Sequence, residues 1–494
     1  MTGERSPGSN APATLSPGSR IPALAAWAVA SIALALIALS ALLRTGDLIG
    51  TLLAHLPGLK PYGRLGLGET AGYLLATVAL IVLAGRAAAR PRFSGPLLPL
   101  LIVGLAIGVR AAFALVADAP LYGENAIVHA QALGILDGAC CFSHRPLGYP
   151  IVLAGAYAVL GEGPVAIEVL NVVFAAVTAW LVWDIGRVSW GRRVAAVAAT
   201  AYAVAPSQVL MALVPLTEPM FTMLVAGAVR AGIALRHRPM LVAGIACAVL
   251  LAAGQYVRAT AVSLLIPVAL LPWLAGWPLR RALQRAGLIG GLLVVLLLPV
   301  VAYNLRVHGD LSLSTSAYAG WSLYVGANRE HGGQWNAEDA ARLAGFPGDT
   351  WWDRSEYAGS LALDRVMESP AGSLALLPTK FGTQWNNETY AASYALRARA
   401  ITRDVEVGWL VSQLFWAPLA ILAAVGMYAG RRDPRPATLL IGMTITLVAV
   451  THLALEVHSR YHAYLVPLFC LLAAAGVQAL HRWWRGRRFT LAAG

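Results

Sequence analysis

ETAGYLLATVALIVLAGRAAARPR, residues 69–92, starts on Glu69, crosses an uncharged apolar run, and leaves through Arg86, Arg90 and Arg92. About 20 apolar residues suffice for a helix to cross the hydrocarbon core of a bilayer. The same grammar recurs along the chain with alternating direction. Every second connection is short and rich in arginine, whereas the others hold nearly all the acidic residues and both long loops. Cytoplasmic connections carry the excess of Lys and Arg, so the arginine-rich ends are read as cytoplasmic and the acid-bearing ones as outward.

Composition agrees with this reading. The chain has 494 residues, of which 58% are hydrophobic and 12% charged, and its mean hydropathy is +0.65. A soluble protein of this length could not hide so much apolar surface, which makes the class a polytopic all-α membrane protein. The formal charge of +13 would suggest nucleic acid in a soluble protein. Here most of the arginines sit in connections and tails, so topology accounts for them and no nucleic-acid partner is expected. Of the four cysteines, Cys247 and Cys470 fall in apolar segments and Cys140 and Cys141 are neighbours in an outward loop. That pattern defines neither a disulfide framework nor a metal site.

Spans are drawn at 23–43, 69–88, 97–117, 166–186, 194–214, 217–235, 239–256, 258–275, 286–304, 409–429, 437–456 and 461–481. About twelve spans leave both termini in the cytoplasm. The domain plan is a disordered N-terminus (1–22), a transmembrane core (23–304) containing the first large outer loop (118–165), an extracytoplasmic helical segment (305–408), C-terminal transmembrane helices (409–481) and a basic tail (482–494). Tyr149–Leu160 is apolar but too short to cross, and crossing would invert every later arginine cluster. It reads as an interfacial or re-entrant helix on the outer face. The 305–408 segment is too long for a plain connection and predicts a small cap, with helices near Asn336–Leu343 and Ser355–Met367.

Several outward residues could carry chemistry. Glu124, in LYGENAIVHAQAL, follows the third span, with Asp118 six residues earlier. A carboxylate desolvated at that depth could take a proton from a hydroxyl; the plain alternative is a helix cap or an exposed loop acid. Glu218 sits beside Pro219 at the start of the sixth span, where the helix dipole alone would favour an acid. Arg258, Arg306 and Arg460 stand at outward span ends, against the positive-inside pattern. Arginine forks suit phosphate oxygens, although each alone could simply reach for headgroups or, for Arg460, pair with Glu456. Trp335 belongs to a tryptophan-rich outer segment, where an indole can stack on a sugar or merely anchor at the interface. Acids and histidines of the outer loops show no ligand spacing. No metal residue is named, no cofactor is assigned, and a divalent metal stays open.

Four motifs resemble a known superfamily. Arg145-Pro146-Leu147-Gly148-Tyr149-Pro150 resembles the "RPPGYP" region of GT-C membrane glycosyltransferases, and Thr217-Glu218-Pro219 resembles their "TEP" step. NLRVHGDLSLSTSAYAGWSLYVGANREHGGQW (304–335) resembles their Asn-Leu-Tyr/Gly-rich stretch, and Ser459-Arg460-Tyr461-His462 to Pro467 resembles the late "RYxxPxxP" signature. Within that superfamily the chain resembles bacterial relatives of the protein O-mannosyltransferases and the lipid A aminoarabinose transferase. Where that family opens its first outer loop with an Asp, this chain offers Glu124 slightly late and Asp118 early.

The resemblance implies inverting transfer of a sugar from a polyprenyl-phosphate donor to a hydroxyl of a lipid, glycan or protein at the outer face of the cytoplasmic membrane. Glu124, with Asp118 as understudy, would be the base. Arg460, Arg258, Arg306, Lys380, His462 and Tyr461 would hold the donor phosphate, and Arg145, Tyr149, Glu218 and Trp335 would line the substrate site. The absence of a glycine-rich phosphate loop in the sequence suits a phosphate already esterified to lipid. A flippase of lipid-linked saccharides or an inactive scaffold of the same fold are the competing classes; a flippase predicts ionisable groups near the bilayer midplane. Alkaline phosphatase fused after Asn336 is expected to be active in bacterial cells and fused after Arg485 inactive; the opposite pattern would invert the topology.

Overall fold

A computed structural model of the chain describes residues 17–55, 61–93, 95–117, 121–138, 145–235, 240–396, 402–431 and 435–491. Among them every regular element is an α-helix or a 3-10 turn. Bilayer-spanning chains are restricted in this way because hydrocarbon offers no partners to the backbone, so each N–H and C=O must be satisfied within its own segment.

A helix covers most or all of each of the twelve segments drawn from sequence. Eight are long and apolar enough to cross a membrane, from Ile21–Gly50 to Ser459–Arg485. The Arg192–Ala203 and Pro206–Leu213 pair, bent by 55°, makes a ninth if counted as one span. Pro206, which cannot donate to the preceding turn, begins the second half of that bend. The remaining three, Glu218–Ala234, Leu241–Val257 and Ala261–Leu274, are shorter. Gly148–Leu160 is a separate 13-residue helix, as the short apolar stretch required.

The first helix already starts at Pro17, inside the stretch expected to be disordered, and continues to His55. The next begins at Pro61, so the connection between the first two spans drawn from sequence is largely helical among the described residues. Residues 1–16 and Asp118, Cys140 and Cys141 lie outside the described residues. The basic tail continues the last helix to Leu491.

Large aliphatic side chains such as Ile32, Leu75, Val78, Leu241 and Val295 point outward. That surface suits lipid tails and would be unfavourable in water. Without a hydrophobic drive between helices, association depends on close packing of small residues. The crossing of Thr402–Gly430 with Val466–Leu491 shows this. A Cβ on Gly426 would lie 2.0 Å from the Leu472 carbonyl oxygen, and one on Gly476 would lie 2.2 Å from that of Leu422.

The cap comprises helices Ala319–Gly326, Ala337–Ala344, Trp351–Glu368, Pro370–Trp385 and Tyr390–Leu396. Its own small core gathers Trp321, Tyr324, Val325, Leu343, Ala358 and Ala362. Buried Asp339 is held by Arg365 at 2.8 Å and by Asn328 at 2.7 Å. The cap is tied to the turn before the last span, because Glu456 N–H donates to the Ser322 carbonyl at 2.7 Å and Val457 N–H to that of Gly333 at 3.0 Å.

Gly148 fixes the short Gly148–Leu160 helix in place. A Cβ there would sit 2.6 Å from the Tyr256 carbonyl oxygen, against backbone that cannot yield. Gly148→Ala is therefore expected to destabilise the protein by about 1–3 kcal/mol, the usual cost of overpacking. Gly155→Ala on the same helix, where nothing lies within 4 Å, should leave the thermal midpoint unchanged or slightly raised.

Candidate active site

Five segments bring charged side chains to one place. Glu124 is the first residue of Glu124–Leu136, where the helix dipole favours a carboxylate. Arg145 lies in the turn before Gly148–Leu160, and Glu218 opens Glu218–Ala234. Arg258 follows Met240–Val257, and Arg460 sits in the 3-10 turn Ser459–Leu465. All five positions are helix ends or connections of the same parity, so the convergence confirms that these ends share one side of the helical layer.

Their contacts form a ladder of alternating charge. Arg145 Nη1 donates to Glu124 Oε1 at 2.8 Å, and Arg460 pairs with the other oxygen of Glu124. Arg460 Nε stands 3.8 Å from Glu218 Oε1, and Arg258 Nη1 reaches that same oxygen at 2.8 Å. Glu218 is 2% exposed, so the inner end of the ladder is dry. Aromatic rings line it: Tyr461 faces Arg258 and Arg460 at 5.4 and 5.5 Å, Tyr390 faces Arg460 at 5.3 Å, and Tyr318 faces Arg145 at 5.5 Å. Cations over ring faces are stabilised more strongly where water is excluded. Arg460 Nη1 also donates to the Tyr390 hydroxyl at 3.0 Å.

Burial works to raise the basicity of Glu124, but Arg460 and Arg145 outweigh it and hold the carboxyl down at about 2. Glu456 behaves in the opposite way. Burial pushes its carboxyl above the usual range, against the pull of Arg460. It accepts a 3.3 Å hydrogen bond from the Tyr461 hydroxyl. Within the ladder's own ion pairs three arginines face two carboxylates, so positive charge is in excess there. Arg460 Nε is buried and has no hydrogen-bond partner. The arrangement therefore has room in its charge balance, and a spare buried donor, for one anion.

The other residues singled out from sequence are placed variously. Tyr461 belongs to the ladder's wall. Tyr149 is fully buried and donates to Asn171 Oδ1 at 3.0 Å, a packing role next to the site. Lys380 is buried with Nζ on the Gly326 carbonyl at 2.8 Å. Burial lowers it to about 8, Glu456 opposing, and it takes no part in the ladder's ion pairs. His462 is taken up elsewhere: it pairs with Glu388, its Nδ1 lies 2.5 Å from the Gln384 carbonyl, and Trp385 and Trp416 stack on its two sides. Arg306 is exposed on the last turn of Leu279–His308 and takes no part in the ladder's ion pairs. Trp335 is 56% exposed in the cap.

Glu456, Tyr390 and Tyr318 are the wall residues that sequence reasoning did not assign to the site. The spacing of Glu456 and Arg460 suggested a pair, yet Glu456 turns to Tyr461 and Arg460 to Glu124. Among the described residues, Glu330, His331 and Glu338 in the cap could place ligand atoms within 4.8 Å of one another. None of them belongs to the ladder, and Glu338 also pairs with Arg342.

The fold and site define a multi-pass helical membrane protein with a cluster of alternating charges at one set of helix ends. Residues 144–303 match the profile of the family described as dolichyl-phosphate-mannose-protein mannosyltransferase. The match contains the Arg145–Pro150 and Thr217–Pro219 motifs and upholds the glycosyltransferase resemblance over that stretch. No curated protein matches the chain. Among solved structures, ArnT from Cupriavidus metallidurans bound to undecaprenyl phosphate is 14% identical, with 78% of this chain and 78% of that chain covered and a TM-score of 0.38. The same protein in the apo state is 14% identical, with 78% and 77% covered and a TM-score of 0.35.

The two carboxyls predict opposite responses to pH. Glu124, depressed, contributes stability that is complete above the ordinary value near 4.5 and is lost as pH falls toward about 2. Glu124→Gln should therefore lower the thermal midpoint at pH 7, by about 3 kcal/mol of stability at most, and the deficit should shrink below pH 4.5. Glu456, raised, contributes stability below its ordinary value that is lost as pH climbs through the raised one. Glu456→Gln should be neutral or stabilising at pH 7 in the same melts.

Proposed function

We propose that the protein transfers a sugar from a polyprenyl-phosphate donor to an acceptor hydroxyl, with inversion, at the outer face of the cytoplasmic membrane. The observation that carries this is the excess positive charge of the Arg145–Glu124–Arg460–Glu218–Arg258 ladder at helix ends beside an apolar surface. A lipid phosphate has its charge at that level and its chain in the bilayer. The matched family's description names a lipid-phosphate sugar and supports the same class of donor. The outer-face assignment rests on the distribution of the arginine clusters in the sequence.

In this mechanism Arg460 and Arg258 lie along the developing negative charge of the leaving phosphate, which preorganised donors in a dry site stabilise most effectively. Arg145 orients Glu124. Glu124 takes the acceptor proton as the hydroxyl oxygen attacks the anomeric carbon and the carbon–oxygen bond to phosphate breaks. Tyr461 and Tyr390 exclude water and hold Arg460 in line.

Purified protein incubated with a panel of labelled undecaprenyl-phosphate sugars and membrane extract should release undecaprenyl phosphate and label an acceptor. Arg460→Gln and Glu124→Gln should each lower that transfer on the order of a hundredfold or more, and Arg306→Gln should not. Lipid passage across liposomes without sugar transfer would instead indicate a flippase.

A further inference from the structure

The ladder places the proposed base and the proposed phosphate clamp on each other. Glu124 Oε1 is on Arg145 at 2.8 Å and its other oxygen is on Arg460. A carboxylate with both oxygens held by guanidinium groups has little affinity for a proton. Arg460, in turn, spends on Glu124 the charge that a lipid phosphate would need, while its Nε is buried without a hydrogen bond. Arg258 is differently placed, fixed by Glu218, which is 2% exposed. Among the described residues, Arg460 alone pairs with both acids of the ladder.

We propose that Arg460 is exchanged between Glu124 and the lipid phosphate, so that donor binding frees Glu124 to act as a base and charge on the leaving phosphate completes the exchange. This rests on the glycosyl-transfer reading and adds an order of events to it. In the donor-free protein Glu124 is locked and cannot deprotonate an acceptor, which makes the donor the first substrate. During transfer the acceptor oxygen forms the bond to the anomeric carbon. The electron pair of the broken carbon–oxygen bond stays on the phosphate, and the acceptor proton goes to Glu124. The phosphate passes from a singly charged diester to a doubly charged monoester as Glu124 passes from anion to neutral acid. The total charge of the site is unaltered, and Arg460 follows the negative charge from one partner to the other. Loss of the proton from Glu124 then restores its claim on Arg460 and expels the lipid phosphate.

Undecaprenyl phosphate itself is the probe. Its dissociation constant is measured with the full-length protein in nanodiscs, for wild type, Glu124→Gln and Arg145→Gln, and for the double variant Glu124→Gln/Arg145→Gln. Competition predicts that Glu124→Gln binds undecaprenyl phosphate about tenfold or more tightly than wild type, as expected when a charged hydrogen-bonding competitor is removed. The double variant keeps the net charge of the site and guards against a fold lost through unpaired arginines. It should bind more tightly than Arg145→Gln alone. Equal or weaker binding in both comparisons overturns the exchange while leaving the functional reading in place. Absence of binding by wild type and all variants overturns the functional reading, and the exchange with it.

Discussion

Arg460 between Glu124 and Glu218 is the contact on which the site depends. One guanidinium joins the start of Glu124–Leu136 to the start of Glu218–Ala234, each more than two hundred residues away from it in sequence. Buried charges of this kind are costly unless each is paired. The cost is met here by alternation, since each arginine has a carboxylate on at least one side and aromatic faces around it. Because the pairing is not quite complete, the same network that holds the loops also asks for an anion.

The helical layer makes such a network feasible. A bilayer forces the spanning segments to satisfy their own backbone, so irregular structure collects at their ends. Gly426 and Gly476 let the last helices cross at backbone contact, and Gly148 lets the short Gly148–Leu160 helix rest on the Tyr256 carbonyl. Arg145, Arg258 and Arg460 are thereby brought within reach of two acids. The cap closes this end through main-chain bonds to Glu456 and Val457, and Tyr390 is delivered from it to the side of Arg460.

The charge grammar of the chain made much of the fold legible. Alternating arginine-rich and acid-bearing connections placed Glu124, Glu218, Arg258 and Arg460 on one side, and the structure joins those four. The short length of Tyr149–Leu160 marked it as a helix apart from the long spans, and it is one. Where the reading was less accurate, the reason is local. Lys380 and His462 carry the right chemistry at the right depth, but each is turned to a buried partner, Gly326 and Glu388 respectively. Arg306 shares its parity with the ladder yet is exposed in the last turn of its helix and outside the ladder's ion pairs.

Sequence by itself determined the all-helical membrane class, which helix ends lie together and the identity of the charged residues that meet there. Those follow from hydropathy and from the exclusion of charge from hydrocarbon, which act on each segment separately. Tertiary structure alone decided which acid each arginine holds. That depends on side-chain direction at the end of each helix, a property set by packing between distant segments. Glu456 shows the difference: four residues from Arg460 in sequence, it is bonded to Tyr461 and raised by burial, while Glu124 takes the arginine and is held down by it.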